Sequence, residues 1–169
     1  GIPTPFQIWH SNEGPGSASL PSGALGAIHS DIRFMEIGPD VYIVAGKGID
    51  PEGYWLMKYD ISTQNLIDLL AVEWAGDPFA YADNHAFLTI NQSDSGTEVW
   101  ETDGSPSGTH LLSDLCPGPD QWYSRAPENL MGTDSLLYFI GDNCQSGPRI
   151  LTTAPGSGVL SVPYSPLEY

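Results

Sequence analysis

Hydrophobic positions along the chain come in short bursts, each closed by a turn-forming residue. Runs such as "VYIVAG" (41–46), "AFLTI" (86–90) and "LLYFIG" (136–141) combine β-branched and aromatic residues and end near Gly, Pro, Asp or Asn. That is the pattern of strands punctuated by turns. A 3.6-residue period gives only weak candidates, and 15 Pro with 19 Gly interrupt them. The expectation is an all-β protein.

The bursts recur. The aromatic of each short inner run falls at Tyr42, Phe87 and Tyr138, separated by 45 and 51 residues. The large apolar residue of the following run falls at Trp55, Trp100 and Leu151, again 45 and 51 apart. Both anchors shift together, so the two in each unit are always 13 residues apart and the extra six lie between units, in "PGPDQWYSRAP" (117–127). A third apolar run follows ("NLIDLLAV", "THLLSDL", "GVLSV"), and another precedes the first anchor ("IRFMEIG", "PFAYAD", "ENLMGT"). About four strands in roughly 45 residues is the pattern of a β-propeller blade. "QIWHSNEGPGS", from Gln7, sets Trp9 46 residues before Trp55, but its inner strand would lie before residue 1. The expected fold is therefore β-propeller-like, with about four blades of four-stranded antiparallel sheet and an incomplete first blade. An N-terminal arm and outer half-blade would span 1–30. Three repeats (about 31–72, 79–115 and 127–162) would fill 31–163, with a tail at 164–169.

The stretches "GTEVWETDGSPSGTHLLSDLCPGPDQ" and "ENLMGTDSLLYFIGDN" resemble the "ELWxTDGTxxGTxLVxDIxPG…NLxxxNGxLYFxADD" repeat of bacterial extracellular, propeller-like surface proteins. The likeness is clear over 84–153, weaker over 31–72 and a fragment at 6–16. It implies a fold more than a function, since propellers host unrelated activities. Cys116 stands where the family carries a polar residue, Cys144 falls in the turn after "LYFIGD", and "RILTTAPG" lacks the acidic turn. In the family's layout Cys116 ends the outermost strand of one unit and Cys144 lies between the second and third strands of the next. The resemblance thus implies a disulfide stapling two blades.

Charge narrows the partners. Twenty-one acidic residues against five basic ones give a net charge of -16, which repels nucleic acid and anionic membranes. The acids are spread singly among Gly, Ser, Pro and Thr, as on a solvated, turn-rich surface. Only two cysteines are present, with no second Cys or His at zinc-site spacing. The pair fits one disulfide in an oxidising compartment, or two buried thiols. The absence of a leader pattern or a membrane-length apolar run suggests a mature extracellular chain without membrane insertion. "NQS" at Asn91 is an N-glycosylation sequon.

Candidate chemistry is sparse. "DSGTEVW" looks like the Asp-box of sialidase-type propellers, with one residue too many between Asp94 and Trp100. "TDGSPSG" suits calcium at Asp103, and suits equally a tight turn in which Asp caps its own backbone. His10, His29, His85 and His110 do not pair at metal-ligand spacing. "GSPSG" puts Pro where a nucleophile elbow needs Ser. Trp74, Trp122, Tyr123 and Tyr81 fall in or beside inter-unit segments, where they can stack on a sugar, contact a protein or cover a blade edge. The chain is expected to be a secreted, non-enzymatic structural subunit with no required cofactor. It would self-assemble into a filament or surface layer as a neighbour's strand completes an open blade. The alternative is a carbohydrate-binding module, and a third reading is an acidic glycoside hydrolase.

Overall fold

The structure, a computed structural model, describes residues 10–11, 18–19, 28–47, 53–60, 62–63, 65–117 and 126–163. Among them there is no helix. The strands are β1 (His10–Ser11), β2 (Ala18–Ser19), β3 (Ile28–Ile37), β4 (Asp40–Lys47), β5 (Gly53–Asp60), β6 (Asn65–Val72), β7 (Trp74–Ala82), β8 (His85–Gln92), β9 (Gly96–Thr102), β10 (His110–Leu111), β11 (Glu128–Gly132), β12 (Leu137–Asp142) and β13 (Pro148–Thr153). All pairings are antiparallel and join strands adjacent in sequence: β1-β2, β3-β4-β5-β6, β7-β8-β9-β10 and β11-β12-β13. Short turns make such meanders, because a hairpin closes with a few residues whereas a parallel connection needs a long crossover. The chain divides into two compact units, 1–72 and 73–169.

The 13-residue spacing of the anchors does not mark cross-strand partners. Trp55 pairs with Ala45, Trp100 with Leu88 and Leu151 with Phe139. Each partner is an odd number of residues from the aromatic anchor of its own strand, so the two anchors of a unit point to opposite faces of the sheet. Both faces therefore carry apolar residues, and β8 is buried along six consecutive positions from Ala86 to Asn91. In the first unit Ile43, Ala45, Met57 and Tyr59 are buried together, while Tyr42, Val44 and Leu56 are buried on the opposite face.

In the second unit the core is a seam between two sheets. Ala80, Ala82, Phe87, Val99 and Leu112 pack against Leu137, Phe139 and Leu151. Burial of each of the larger side chains contributes about 1.5–3 kcal/mol. The repeat is visible in the register. Phe87 pairs with Glu101 and Tyr138 with Thr152, while His110 pairs with Glu101 and Ser161 with Thr152. The fourth strand expected around "GVLSV" is reduced to that single Thr152–Ser161 bridge. Gly156 and Gly158, both with positive φ, spend this segment on turns.

A disulfide joins Cys116, after β10, to Cys144, in the turn between β12 and β13, so it ties the second four-stranded sheet to the three-stranded one. Closing a loop of 28 residues restricts the unfolded chain by about 3–4 kcal/mol. The segment Asp142–Ser146 fits this role. Asp142 Oδ1 accepts from the N–H of Cys144 at 2.8 Å, and Asn143 Oδ1 accepts from Ser146 at 2.9 Å.

The tightest approach along the seam is backbone to backbone. A Cβ on Gly132, in β11, would lie 1.7 Å from the carbonyl oxygen of Tyr81 in β7. Gly132→Ala is expected to destabilise the protein by about 1–3 kcal/mol, since two strands must separate to admit one methyl group. Urea unfolding of the two proteins measures this directly, and equal midpoints would show that the strands can part freely.

Candidate functional site

One face of the β7-β8-β9-β10 sheet carries several polar side chains of the second unit, and the register shows how. Trp74 pairs with Asn91 and Asn91 with Thr97; Phe87 pairs with Ala80 and Glu101, and His85 with Ala82. Cross-strand partners share a face. That face thus runs from a Trp-lined depression at one end, through the Phe87–Val99 seam under the three-stranded sheet, to a carboxylate and two histidines at the other.

The depression holds about 240 Å³ and is lined by Trp74, Asp77, Pro78, Asn91 and Thr97, with Ala126 and Pro127 from the segment before β11. It lies where the pairing of β7 with β8 shifts between Gly76 and Phe79. A proline and an unpaired Asp are tolerated there, because a bulge releases the backbone groups that a regular ladder would demand. Thr89 mends the break by donating its hydroxyl to the carbonyls of Gly76 and Asp77 at 3.1 and 3.0 Å. Asn91 is buried, and its Nδ2 donates to Thr97 Oγ1 at 2.9 Å. A glycan on that nitrogen would have to find room at a side chain that is only 5% exposed.

At the other end Glu101 is fully buried. Its Oε1 accepts the N–H of Gly156 at 2.5 Å, from the turn that follows β13, while Oε2 has no hydrogen-bond partner. His85 Nε2 stands 3.7 Å from Oε1, and His110 Nε2 stands 3.7 Å from Oε2. Among the described residues no group of three or more His, Cys, Asp and Glu could hold a metal ion.

The other sequence candidates are placed as follows. Tyr81 is half-buried on β7, and its hydroxyl donates to Asn84 Oδ1 at 3.0 Å. Trp122 and Tyr123 lie outside the described residues. Asp103 closes its own turn. Its Oδ1 accepts from the N–H and the hydroxyl of Ser105 at 2.8 and 2.7 Å, and these bonds hold its carboxyl below the ordinary value. Asp60 does the same after β5, accepting from Ser62 and Thr63, which pulls it down to about 2. The acidic turn recurs because a carboxylate can cap two or three backbone and hydroxyl donors at once. The fold therefore brings Trp74 and the sequon residue Asn91 together at the depression and leaves the calcium candidate Asp103 apart in its own turn.

Sequence reasoning passed over two carboxylates of β9. Glu101 was hidden because its histidines are 16 residues before and nine after it, a spacing that becomes meaningful only with the strand register. Glu98 is buried, with Oε1 accepting the N–H of Cys116 at 3.2 Å and Oε2 unpartnered. Burial pushes its carboxyl from 4.5 up to about 7, a rise opposed by the N–H groups of Cys116 and Leu115 and assisted by the charge of Asp114.

No protein-family model matches the chain, and no curated protein matches it significantly. No helix among the described residues is long and apolar enough to cross a membrane. The disulfide fits a non-cytoplasmic setting.

The raised acid makes a pH prediction with a definite sign. Glu98 has a folded value above its unfolded one, so its neutral form contributes stability that is complete below about pH 4.5 and is lost as pH rises through about 7. A shift of this size corresponds to a change on the order of 3 kcal/mol between those limits. In Glu98→Gln the loss between pH 5 and pH 8 should be smaller by a comparable amount. Denaturant unfolding across that range checks this; parallel curves for the two proteins would show that the carboxyl is ionised throughout.

Proposed function

We propose that the chain is a secreted, non-enzymatic structural module whose sheets are blades of a β-propeller-like array. In this reading it self-assembles when a strand from a neighbouring copy completes the three-stranded sheet. One observation carries the proposal: the outward face of that sheet is apolar and uncovered. Met131 and Ile150 are 58% and 53% exposed, and they share their face with Tyr138 and Ile140. By the 51-residue repeat this face corresponds to the Phe87 face of the preceding sheet, which the three-stranded sheet itself covers. A contiguous exposed apolar face is the usual mark of an interaction surface.

The edge beside it favours the same reading. Thr152 exchanges both of its backbone hydrogen bonds with Ser161 at 2.9 Å. The alternation of an antiparallel ladder turns the N–H and C=O of Ile150 to the same outer side, where no ladder partner is described among the strands. An incoming strand gains those bonds and covers Ile150 in one step. Head-to-tail addition of this kind is heterologous and propagates unless it closes into a ring.

Size-exclusion chromatography with light scattering tests the proposal. The wild-type chain is expected to run well above 18.2 kDa in a concentration-dependent way. Ile150→Lys and Met131→Lys should each reduce it to the monomer mass without loss of the β-sheet signal. A wild-type chain that stays monomeric into the high micromolar range removes the proposal.

The Trp-lined depression favours a second reading, carbohydrate binding. An aromatic face beside Asp77, Asn91 and Thr97 is the combination that stacks on a sugar ring and hydrogen-bonds its hydroxyls. Neutral oligosaccharides are expected to quench tryptophan fluorescence saturably, and Trp74→Ala should weaken that binding about fivefold or more, since losing a stacking aromatic costs on the order of a kcal/mol or more. Unchanged binding in Trp74→Ala, or none in the wild type, rules the depression out as a sugar site.

A further inference from the structure

Two buried hydrogen-bond donors of the second unit lack partners, and both belong to the wall of one cavity. The stretch 94–100, Asp-box-like in sequence, folds as the end of the β8–β9 turn and most of β9. With Gln92, Ser93 and Leu111 of β10, its residues Asp94, Ser95 and Trp100 line a cavity of about 340 Å³. Ser95 is 6% exposed, and its Oγ has no hydrogen-bond partner. The indole Nε1 of Trp100 is likewise buried and unpartnered. A hydroxyl and an indole N–H left in this state each forfeit a bond that water supplies in the unfolded chain. Native folds keep such groups where a ligand or an ordered water completes them.

We propose that this cavity is a binding site for a neutral sugar. The pattern of donors and acceptors selects the class. Trp100 Nε1 can only donate, so the ligand must offer an acceptor. Asp94, exposed in the turn, brings a carboxylate, which accepts, so the ligand must also offer a donor. A hydroxyl group does both, and a sugar presents several on one small ring. An anion is disfavoured by Asp94 and by the net charge of -16, and an ammonium group leaves the indole N–H unpaired. Leu111 and the indole supply the apolar wall that the C–H faces of a sugar need, and the volume lies within the range of small-molecule pockets, about 300–1,000 Å³.

Local structure explains how the wall is held. The pair Gln92–Gly96 closes a three-residue turn, 93–95, and Gly96 has a φ of 73°, the left-handed conformation that such loops favour. This turn keeps Ser95 inside while Ser93 and Asp94 stay exposed at the rim. Ser95 Oγ turns toward a ligand by rotation about χ1 alone. The cavity is separate from the depression beside Trp74. Trp100 pairs with Leu88 and Leu111, whereas Asn91 pairs with Thr97, and the two sets lie on opposite faces of the sheet. No residue lines both. The inference therefore stands or falls independently of sugar binding at Trp74.

The test titrates the isotope-labelled full chain with glucose, galactose, mannose and N-acetylglucosamine, following the indole N–H resonances by NMR. One indole resonance is expected to move saturably, and its loss from the Trp100→Phe spectrum assigns it to Trp100. Ser95→Ala should weaken binding about threefold or more, the effect of one lost hydrogen bond. Asp94→Ala should weaken it as well, and Trp74→Ala should leave it unchanged. Glucuronate should bind more weakly than glucose. Where Trp100→Phe fails to fold, Ser95→Ala, which removes only an unpaired hydroxyl, still decides. No saturable shift with any of the four sugars at about 50 mM shows that the cavity holds water only and overturns the proposal. Binding that survives both Ser95→Ala and Asp94→Ala, or glucuronate binding tighter than glucose, overturns it too.

Discussion

The second unit depends on the sealing of one sheet by the next. Phe87 and Val99 are buried because Leu137, Phe139 and Leu151 cover them, and that cover is close enough for two backbones to meet at Gly132 and Tyr81. Apolar burial drives the contact without regard to direction. The glycine supplies the geometry, since any side chain at that point would hold β11 off β7. The disulfide acts on the same joint from the outer side, and the Gly156–Glu101 bond acts on it from the end of the strands. Three chemically different ties converge on one seam, and the polar features of this face lie at its two ends, where the cover gives out.

A sheet covered on both faces explains why polar groups here are either fully satisfied or conspicuous. Thr89, Asn91, Thr102 and Thr109 are buried, and each finds a partner within the same four-stranded sheet or its turns. The two buried glutamates of β9 do not, for each keeps one oxygen without a hydrogen bond. They resolve the cost differently. Glu98 is raised by burial and by the charge of Asp114, with only the N–H groups of Cys116 and Leu115 to favour its own charge, so it moves toward the neutral form near pH 7. Glu101 instead has a histidine at each oxygen, His85 Nε2 3.7 Å from Oε1 and His110 Nε2 3.7 Å from Oε2.

Much of the all-β architecture was legible in the sequence, for a physical reason. Strand runs such as 41–46, 86–90 and 136–141 are apolar on both faces, and the turns between them carry the Gly, Asp and Asn that positive φ or self-capping requires. The disulfide was legible in outline, because only two cysteines exist and the family-like layout sets them one sheet apart. Register was not legible. A repeat of 13 between anchors leaves the offset between strands open, and the fold sets it by pairing Ala45 with Trp55 and Leu88 with Trp100. The reduction of the last strand to a bridge at Ser161 was likewise hidden, since "GVLSV" has the composition of a strand and loses its pairing to the glycine turns beside it.

The candidate chemistry was less legible than the fold, because function in a meander is set by which positions fall opposite one another. His85, Glu101 and His110 are scattered along the sequence and adjacent across three strands. Asp103, by contrast, looked like a site in the sequence because its neighbours are hydroxyls and glycines, and those same neighbours satisfy it within its own turn. Short-range polarity in a turn-rich β-protein mostly reports turns that cap themselves. A polar group of functional interest is one that local sequence cannot satisfy, and in this chain the strand register places such groups on both buried faces of one sheet, Glu101 on one and Glu98 on the other.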